Sequence, residues 1–400
     1  MRILWVKVGG LWPPNTGGRL RSFHLVRELA RGHAVTLLTT HTPSENPLAQ
    51  AEHLRECREV VSVPFVVPKR TSVRFALALG RSWLSSLPVD VSKFRVTALA
   101  AEVRRRLAAG EADVCVVDFL SALINVPRES PVPVVLFAHN VEHMIWKRLC
   151  LAERRPWRRL LLELEWRKLR RYEAHACARA DLTIAVSEQD RALLSAHAAG
   201  ARVVSIPTGV DTAYFAPNGA HERAAALVFT GSMDWHPNED AVLHFLDAIL
   251  PRIRRDAPEV SFAVVGRNPS SRLRAAASAA RVAVTGTVDD VRPYVGQAAV
   301  YVVPLRIGGG TRLKIFEALA MGKTVVSTAV GAEGLPLVDG EHFVAADDPA
   351  EFARAVVALL GDPVRRRALG QAGRRLVETR YSWAQVAREF ESRCVALVDR

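Results

Sequence analysis

The sequence predicts an α/β protein made of two doubly wound halves, and three observations predict it. Short apolar runs alternate with helical stretches along the whole chain. The alternation is interrupted once, near the middle, by YFAPNGAHERAA (214–225), where Pro, Asn, Gly and charge replace the pattern. Glycine-bearing turns follow several apolar runs, as at a strand leading into a helix. A length of 400 residues at 49% hydrophobic fits this picture, because it is enough for two cores of about 150 to 200 residues each.

In order, RILWVKV (2–8) reads as a strand, GGLWPPNTGG as a loop, 18–31 as a crossover helix and HAVTLLTT as a second strand. Further strands are expected at 114–118, 134–138, 182–186 and 203–206, with helices between them. A second series starts at LVFTGS (227–232) and continues at 261–266, 282–286, 300–305 and 324–329. Residues 349–378 look helical and charged, and 381–400 form an amphipathic terminal helix suited to pack back on the first domain. The expected domains are 1–215 and 216–378, with 379–400 as the returning segment.

The formal charge is +13, and it belongs to the first half: residues 1–215 carry 31 Lys+Arg against 20 Asp+Glu, whereas 216–400 carry 23 against 21. The densest stretch, 146–171, sets ten cations against three acids with Leu and Trp interleaved. It reads either as the solvated face of a long helix or as a surface where Trp157, Trp166 and nearby leucines meet an anionic membrane. No recognised nucleic-acid module accompanies the charge, which disfavours nucleic acid as a partner. Five scattered cysteines without a CxxC pair argue against a disulfide framework and a zinc site. With no apolar run of about 18 residues, the chain reads as cytoplasmic, peripheral to a membrane at most.

In open parallel sheets, ligands bind beyond the carboxyl ends of strands, where helix N-termini attract phosphate. Four junctions offer such a place. At NTGGRLRSF (15–23), Gly17 and Gly18 let backbone approach a ligand, although a tight turn explains them equally well; no GxGxxG or P-loop is present. At IGGGTRLKIFEALAMG (307–322), Gly308 to Gly310 leave the backbone open, Thr311 is placed to cap a helix, and Gly322 to end it after Met321. Arg312 and Lys314 then occupy a first turn whose dipole repels them, which makes sense beside a negative ligand. Glu317, one turn on, reads as readily as an i,i+3 ion-pair partner of Lys314. His139 follows the strand at 134–138, where a lone histidine is more often structural but a neutral imidazole can meet a sugar hydroxyl. The fourth junction is FTGSMDWHPNEDAV (229–242), with Gly231 at its turn. No DxD pair or metal-spaced cluster appears, so chemistry without a tightly held metal is expected, and GxSxG-type nucleophile signatures are missing.

PPNTGGRLRSFHLVRELARGHAVTLLT, HNVE, SIPTGVDTAYF, TGSMDWHPNEDAVLHFL, VTGTVDDVRPYVGQAAVYVVPLRIGGGTRLKIFEALAMGKTVVST and the terminal YSW helix together resemble glycosyltransferase family 4. They look closest to its bacterial polysaccharide and exopolysaccharide sugar transferases, in the correct order from about residue 2 to 390. The resemblance implies a GT-B fold of two Rossmann-like domains facing across a cleft, acceptor on the first and nucleotide-sugar donor on the second. It implies retention of anomeric configuration without an essential metal or a separate cofactor, from a UDP- or GDP-sugar donor. Carried over by position, Gly17 and Gly18 match the glycine loop near the donor phosphate, and His139 the histidine that reaches the transferred sugar. Glu317 matches the last glutamate of E-x7-E, expected on the donor ribose; Gly310 and Thr311 match the donor loop, and Val288 the segment beside the base. Two positions depart from the pattern: Gly309 stands where the first glutamate belongs, and no cation follows Gly231. Arg306, Arg312 and Lys314 are inferred to supply part of the missing positive charge, since a leaving diphosphate needs neutralising.

The expected function is therefore transfer of a hexosyl group to a saccharide or lipid-linked acceptor in cell-surface polysaccharide or glycoconjugate assembly. The alternatives are a GT-B nucleotide-sugar epimerase, which calls for more acid and base side chains than this chain shows, and a basic nucleic-acid-binding protein.

Overall fold

The computed structural model describes residues 1–68, 77, 79–80, 82, 85–217, 219–307 and 312–399. Apolar runs such as VCVVD and VVLFA become strands buried at every position, because a parallel sheet covered by helices exposes neither face. The first sheet comprises β1 (Arg2–Lys7), β2 (Ala34–His41), β3 (Glu59–Pro64), β4 (Val114–Asp118), β5 (Val134–Ala138), β6 (Leu182–Ala185) and β7 (Val203–Ser205). Its order is β3-β2-β1-β4-β5-β6-β7, and every described pairing is parallel. The second comprises β8 (Arg223–Thr230), β9 (Ser261–Val265), β10 (Ala283–Val284), β11 (Ala298–Val303), β12 (Thr324–Ser327) and β13 (Val344–Ala345). It runs β10-β9-β8-β11-β12-β13, again parallel.

Both sheets reverse their strand order at the first strand of the series, between β1 and β4 and between β8 and β11. The crevices at the carboxyl ends of those strands are where doubly wound sheets take ligands. The chain divides into one unit of Met1–Pro207 with Val386–Arg400 and another of Thr208–Gln385. Within the first, Phe390 of the terminal helix Trp383–Val398 is fully buried against Trp5 and Phe137, at ring separations of 5.6 and 5.5 Å.

Four elements differ from expectation. β3 is an edge strand with half-exposed residues, and β13 has only two; neither carries enough apolar periodicity to be read from sequence. The stretch 349–378 is two helices, Pro349–Gly361 and Pro363–Arg380, because Pro363 lacks the N–H that a continuous helix needs and Asp362 caps the second. The basic stretch 146–171 is likewise divided, between helices Glu142–Ala152 and Pro156–Arg179, with Pro156 opening the second.

Candidate functional site

In the second unit, β8 ends at Thr230 and the chain turns at Gly231 into the helix His236–His244. The Gly231 N–H donates to the Val265 carbonyl at 3.0 Å, and the Met233 N–H to the Arg267 carbonyl at 2.9 Å, so the turns after β8 and β9 are joined. They stack backbone on backbone: a Cβ on Gly266 would stand 1.7 Å from the Gly231 carbonyl oxygen, so only glycine fits there.

The helix Leu313–Ala320 packs across this junction with Ile315, Phe316, Ala318, Leu319 and Ala320 buried. Arg312 occupies its cap position, one residue past the cap expected from sequence, and Gly322 ends it at φ +69°. Gly308, Gly309, Gly310 and Thr311 lie outside the described residues. Lys314 does not pair with Glu317. Its ammonium donates to Asn238 Oδ1 at 2.7 Å, sits 4.2 Å from the centre of the Phe229 ring, and comes within 2.9 Å of where a Gly231 Cβ would be. Asn238 is itself oriented by donating to the Ser232 carbonyl at 2.8 Å. A cation thus reaches the Gly231 turn from a different helix.

Burial pushes the Lys314 ammonium down to about 7, with Glu317 opposing and Arg312 reinforcing the shift. Burial likewise pushes the Glu317 carboxyl up to about 7, against the pull of Lys314. The other two cations are held by the protein: Arg306 makes a fork of 3.1 and 2.6 Å to Asp240, and Arg312 donates to the Val330 carbonyl at 2.9 Å and lies 3.6 Å from Glu333. Val288 lines a surface cavity with Asp289, Asp290 and Tyr294. The junction therefore gathers Gly231, Lys314 and Glu317.

In the first unit, β1, β4 and β5 end in Lys7, Asp118 and, one residue further, His139. All three are buried, as is Arg21 on the inner face of the helix Gly17–Ala30. Asp118 accepts from Lys7 at 3.0 Å, from Trp5 Nε1 at 3.0 Å and from His139 Nε2 at 2.6 Å. An arginine N–H only donates, so the 3.0 Å contact from Arg21 Nη1 makes His139 Nδ1 the acceptor and puts the ring proton on Nε2. His139 is a neutral imidazole with both nitrogens engaged. Burial, outweighing Asp118 and helped by Arg21 and Lys7, pushes its protonation down to about 3. For Asp118 burial works toward the acid, but Lys7 and His139 prevail and hold it far below the usual carboxylate range.

Phe119, at φ +76°, stacks on the His139 ring with centroids 3.9 Å apart, and Lys7 lies 4.1 Å over its face. Gly18 makes room for that ring, since a Cβ there would stand 2.6 Å from Phe119 Cζ; Gly17 meets nothing within 4 Å. His139 is thus an interior imidazole with both ring nitrogens engaged by Arg21 and Asp118. Lys7, Arg21 and Asp118 were missed by sequence reasoning. The available signal was a charge inside or ending an apolar run, as in RILWVKV and VCVVD.

Two parallel sheets of this order define the GT-B class of two Rossmann-like domains. Sucrose-phosphate synthase from Thermosynechococcus elongatus matches with a TM-score of 0.68 over 98% of each chain, at 19% identity. Anabaena HepE in complex with UDP matches at 0.66 over 99% of this chain and 100% of that one, at 14% identity. Residues 17–214 match Glycosyltransferase Family 4, and residues 224–362 match Glycosyl transferases group 1. The chain belongs to family 4 of the glycosyltransferases. The phosphatidyl-myo-inositol mannosyltransferase of Mycobacterium tuberculosis (strain ATCC 25618 / H37Rv) is 34% identical over 207 residues, 48% of this chain and 54% of that protein. The chain spans about half the length of the curated relatives it matches.

Proposed function

We propose that this protein is a retaining glycosyltransferase that moves a hexosyl group from a UDP- or GDP-sugar to a saccharide or lipid-linked acceptor, without a resident metal, in cell-surface polysaccharide or glycoconjugate assembly. The observation that carries the reading is Lys314, whose ammonium reaches the Gly231 turn at a strand-order reversal while Glu317 stands half-buried one turn away. In this reading the sugar C1–O bond to the diphosphate breaks, the acceptor oxygen bonds to C1, and its proton passes to a diphosphate oxygen. Lys314 neutralises the charge that grows on the diphosphate, where a fixed cation in a dry site is most effective. Glu317 offers two acceptor oxygens to the ribose hydroxyls. Lys7, Asp118, Arg21 and His139 form a fixed polar floor on the acceptor-binding unit.

An acceptor carried by lipid agrees with a relative that acts, by its name, on phosphatidyl-myo-inositol. It also agrees with the helices Glu142–Ala152 and Pro156–Arg179, where Leu151, Trp157 and Leu160 are 64, 60 and 70% exposed among arginines. Charge complementarity supports an anionic membrane as the partner of that face. No described helix is long and apolar enough to cross one.

The test is a panel of UDP- and GDP-sugars with the full chain, read by thermal shift and by slow donor consumption. One donor is expected to raise Tm and be consumed, and Lys314→Ala to lower kcat/KM by about 100-fold or more. Indifference to every nucleotide sugar rejects the reading, and unchanged kcat/KM in Lys314→Ala, Arg306→Ala and Arg312→Ala alike rejects the role of the cations.

A further inference from the structure

Three helices of the first unit meet at a cluster distinct from the sites above. His143 opens Glu142–Ala152, Glu173 lies in Pro156–Arg179, and His197 ends Glu188–His197. Their side chains are at least nine-tenths buried, and one ligand atom from each lies within 4.8 Å of the others. Glu173 Oε2 stands 2.5 Å from His143 Nδ1 and 3.3 Å from His197 Nε2.

Hydrogen bonding around the cluster leaves one site unresolved. His197 Nδ1 lies 2.7 Å from the Leu193 carbonyl, which only accepts, so Nδ1 carries the proton. The other ring nitrogen, Nε2, faces the carboxylate at 3.3 Å, and by hydrogen-bond geometry this buried atom is left without a partner. When that ring carries a single proton, two acceptors face each other, an arrangement that a cation between them turns from repulsive to favourable. A backbone carbonyl on the far nitrogen is also how metal-ligating histidines are oriented. Glu173 is fixed in the same way, its Oε1 accepting from the Glu142 N–H at 2.7 Å.

We propose that His143, Glu173 and His197 form a structural site for a divalent transition cation of the zinc type, pinning three helices of the first unit together. Two imidazoles and one carboxylate are a borderline-soft set suited to zinc, with a fourth position for water. His143 Nδ1 releases its proton to solvent when it ligates, so binding is accompanied by proton release. The proposal is independent of glycosyl transfer, and its test does not use activity.

Tag-free full chain, stripped with chelator and dialysed, is titrated calorimetrically with zinc chloride alone, and its Tm is followed. One equivalent is expected to bind and raise Tm. Binding should weaken at least about tenfold in His197→Gln and in Glu173→Gln, the latter keeping an amide oxygen for the Glu142 N–H. Absence of stoichiometric binding overturns the proposal, as does affinity unchanged from the parent in both variants. If His197→Gln lowers the Tm of metal-free protein while neither form binds zinc, the cluster is an imidazolium–carboxylate pair and the proposal falls.

Discussion

Lys314 and Glu317 show how one short helix holds two opposite charges, not bonded to each other, at a cost in stability. For Glu317, raised from 4.5 to about 7, the favourable contribution is complete below the unfolded value and is lost as pH rises through 7. For Lys314, lowered from 10.5 to about 7, the folded state binds fewer protons, so stability is recovered as pH rises from 7 toward 10.5. Removing the carboxylate therefore helps most where it is ionised. Glu317→Gln is expected to change stability relative to the parent more favourably at pH 8 than at pH 5, by about 1 kcal/mol for a half-buried group. Thermal melts at the two pH values check this, and equal offsets reject it. The same variant should lower kcat/KM by about 100-fold, as losing a charged hydrogen bond to the donor implies. At this scale the sequence carried Gly231, Lys314 and Glu317 but not their partners. Asn238 and Lys314 are 76 positions apart, Lys7 and Asp118 are 111 apart, and such pairings exist only once strands align.

Among the elements, the helix pair spanning 142–179 has the plainest consequence. The arginine-rich run was legible as basic, but its division at Pro156 decides which apolar groups are presented. Trp166, a membrane contact in one of the two readings of 146–171, is half-buried and donates to Glu163 Oε2 at 2.8 Å, while Leu149, Leu151, Trp157 and Leu160 are exposed. Vesicles with a phosphatidylglycerol surface should sediment the protein at 0.1 M salt and release much of it at about 0.5 M, where the Debye length is below roughly 5 Å. Exchanging both Trp157 and Leu160 for Ser should lower partitioning at least about tenfold, through lost apolar burial. Equal binding to neutral and anionic vesicles rejects the assignment.

For the whole molecule, the chain leaves its first unit after Pro207 and returns to it at Val386. The first core is therefore completed only by residues that follow the whole second unit in sequence. Phe390 fills the space beside Trp5 and Phe137, and Phe390→Ala is expected to cost about 3 to 5 kcal/mol. Hydrogen exchange separates the units: amides of β1 and β5 should lose protection while those of β8 and β11 keep theirs. Equal loss in both sheets rejects this account.

The sequence by itself determined the two doubly wound halves, because periodicity and strand-end glycines are local properties that survive in one dimension. It also determined the family, through motifs kept in order over most of the chain. Only the tertiary structure decided that Lys314 turns to Asn238 instead of Glu317, that His139 is an interior imidazole bridging Arg21 and Asp118, and that His143, Glu173 and His197 converge. Each of those depends on distant residues being brought within about 3 to 5 Å of one another, where desolvation and hydrogen-bond direction fix the protonation and orientation that spacing along a chain leaves open.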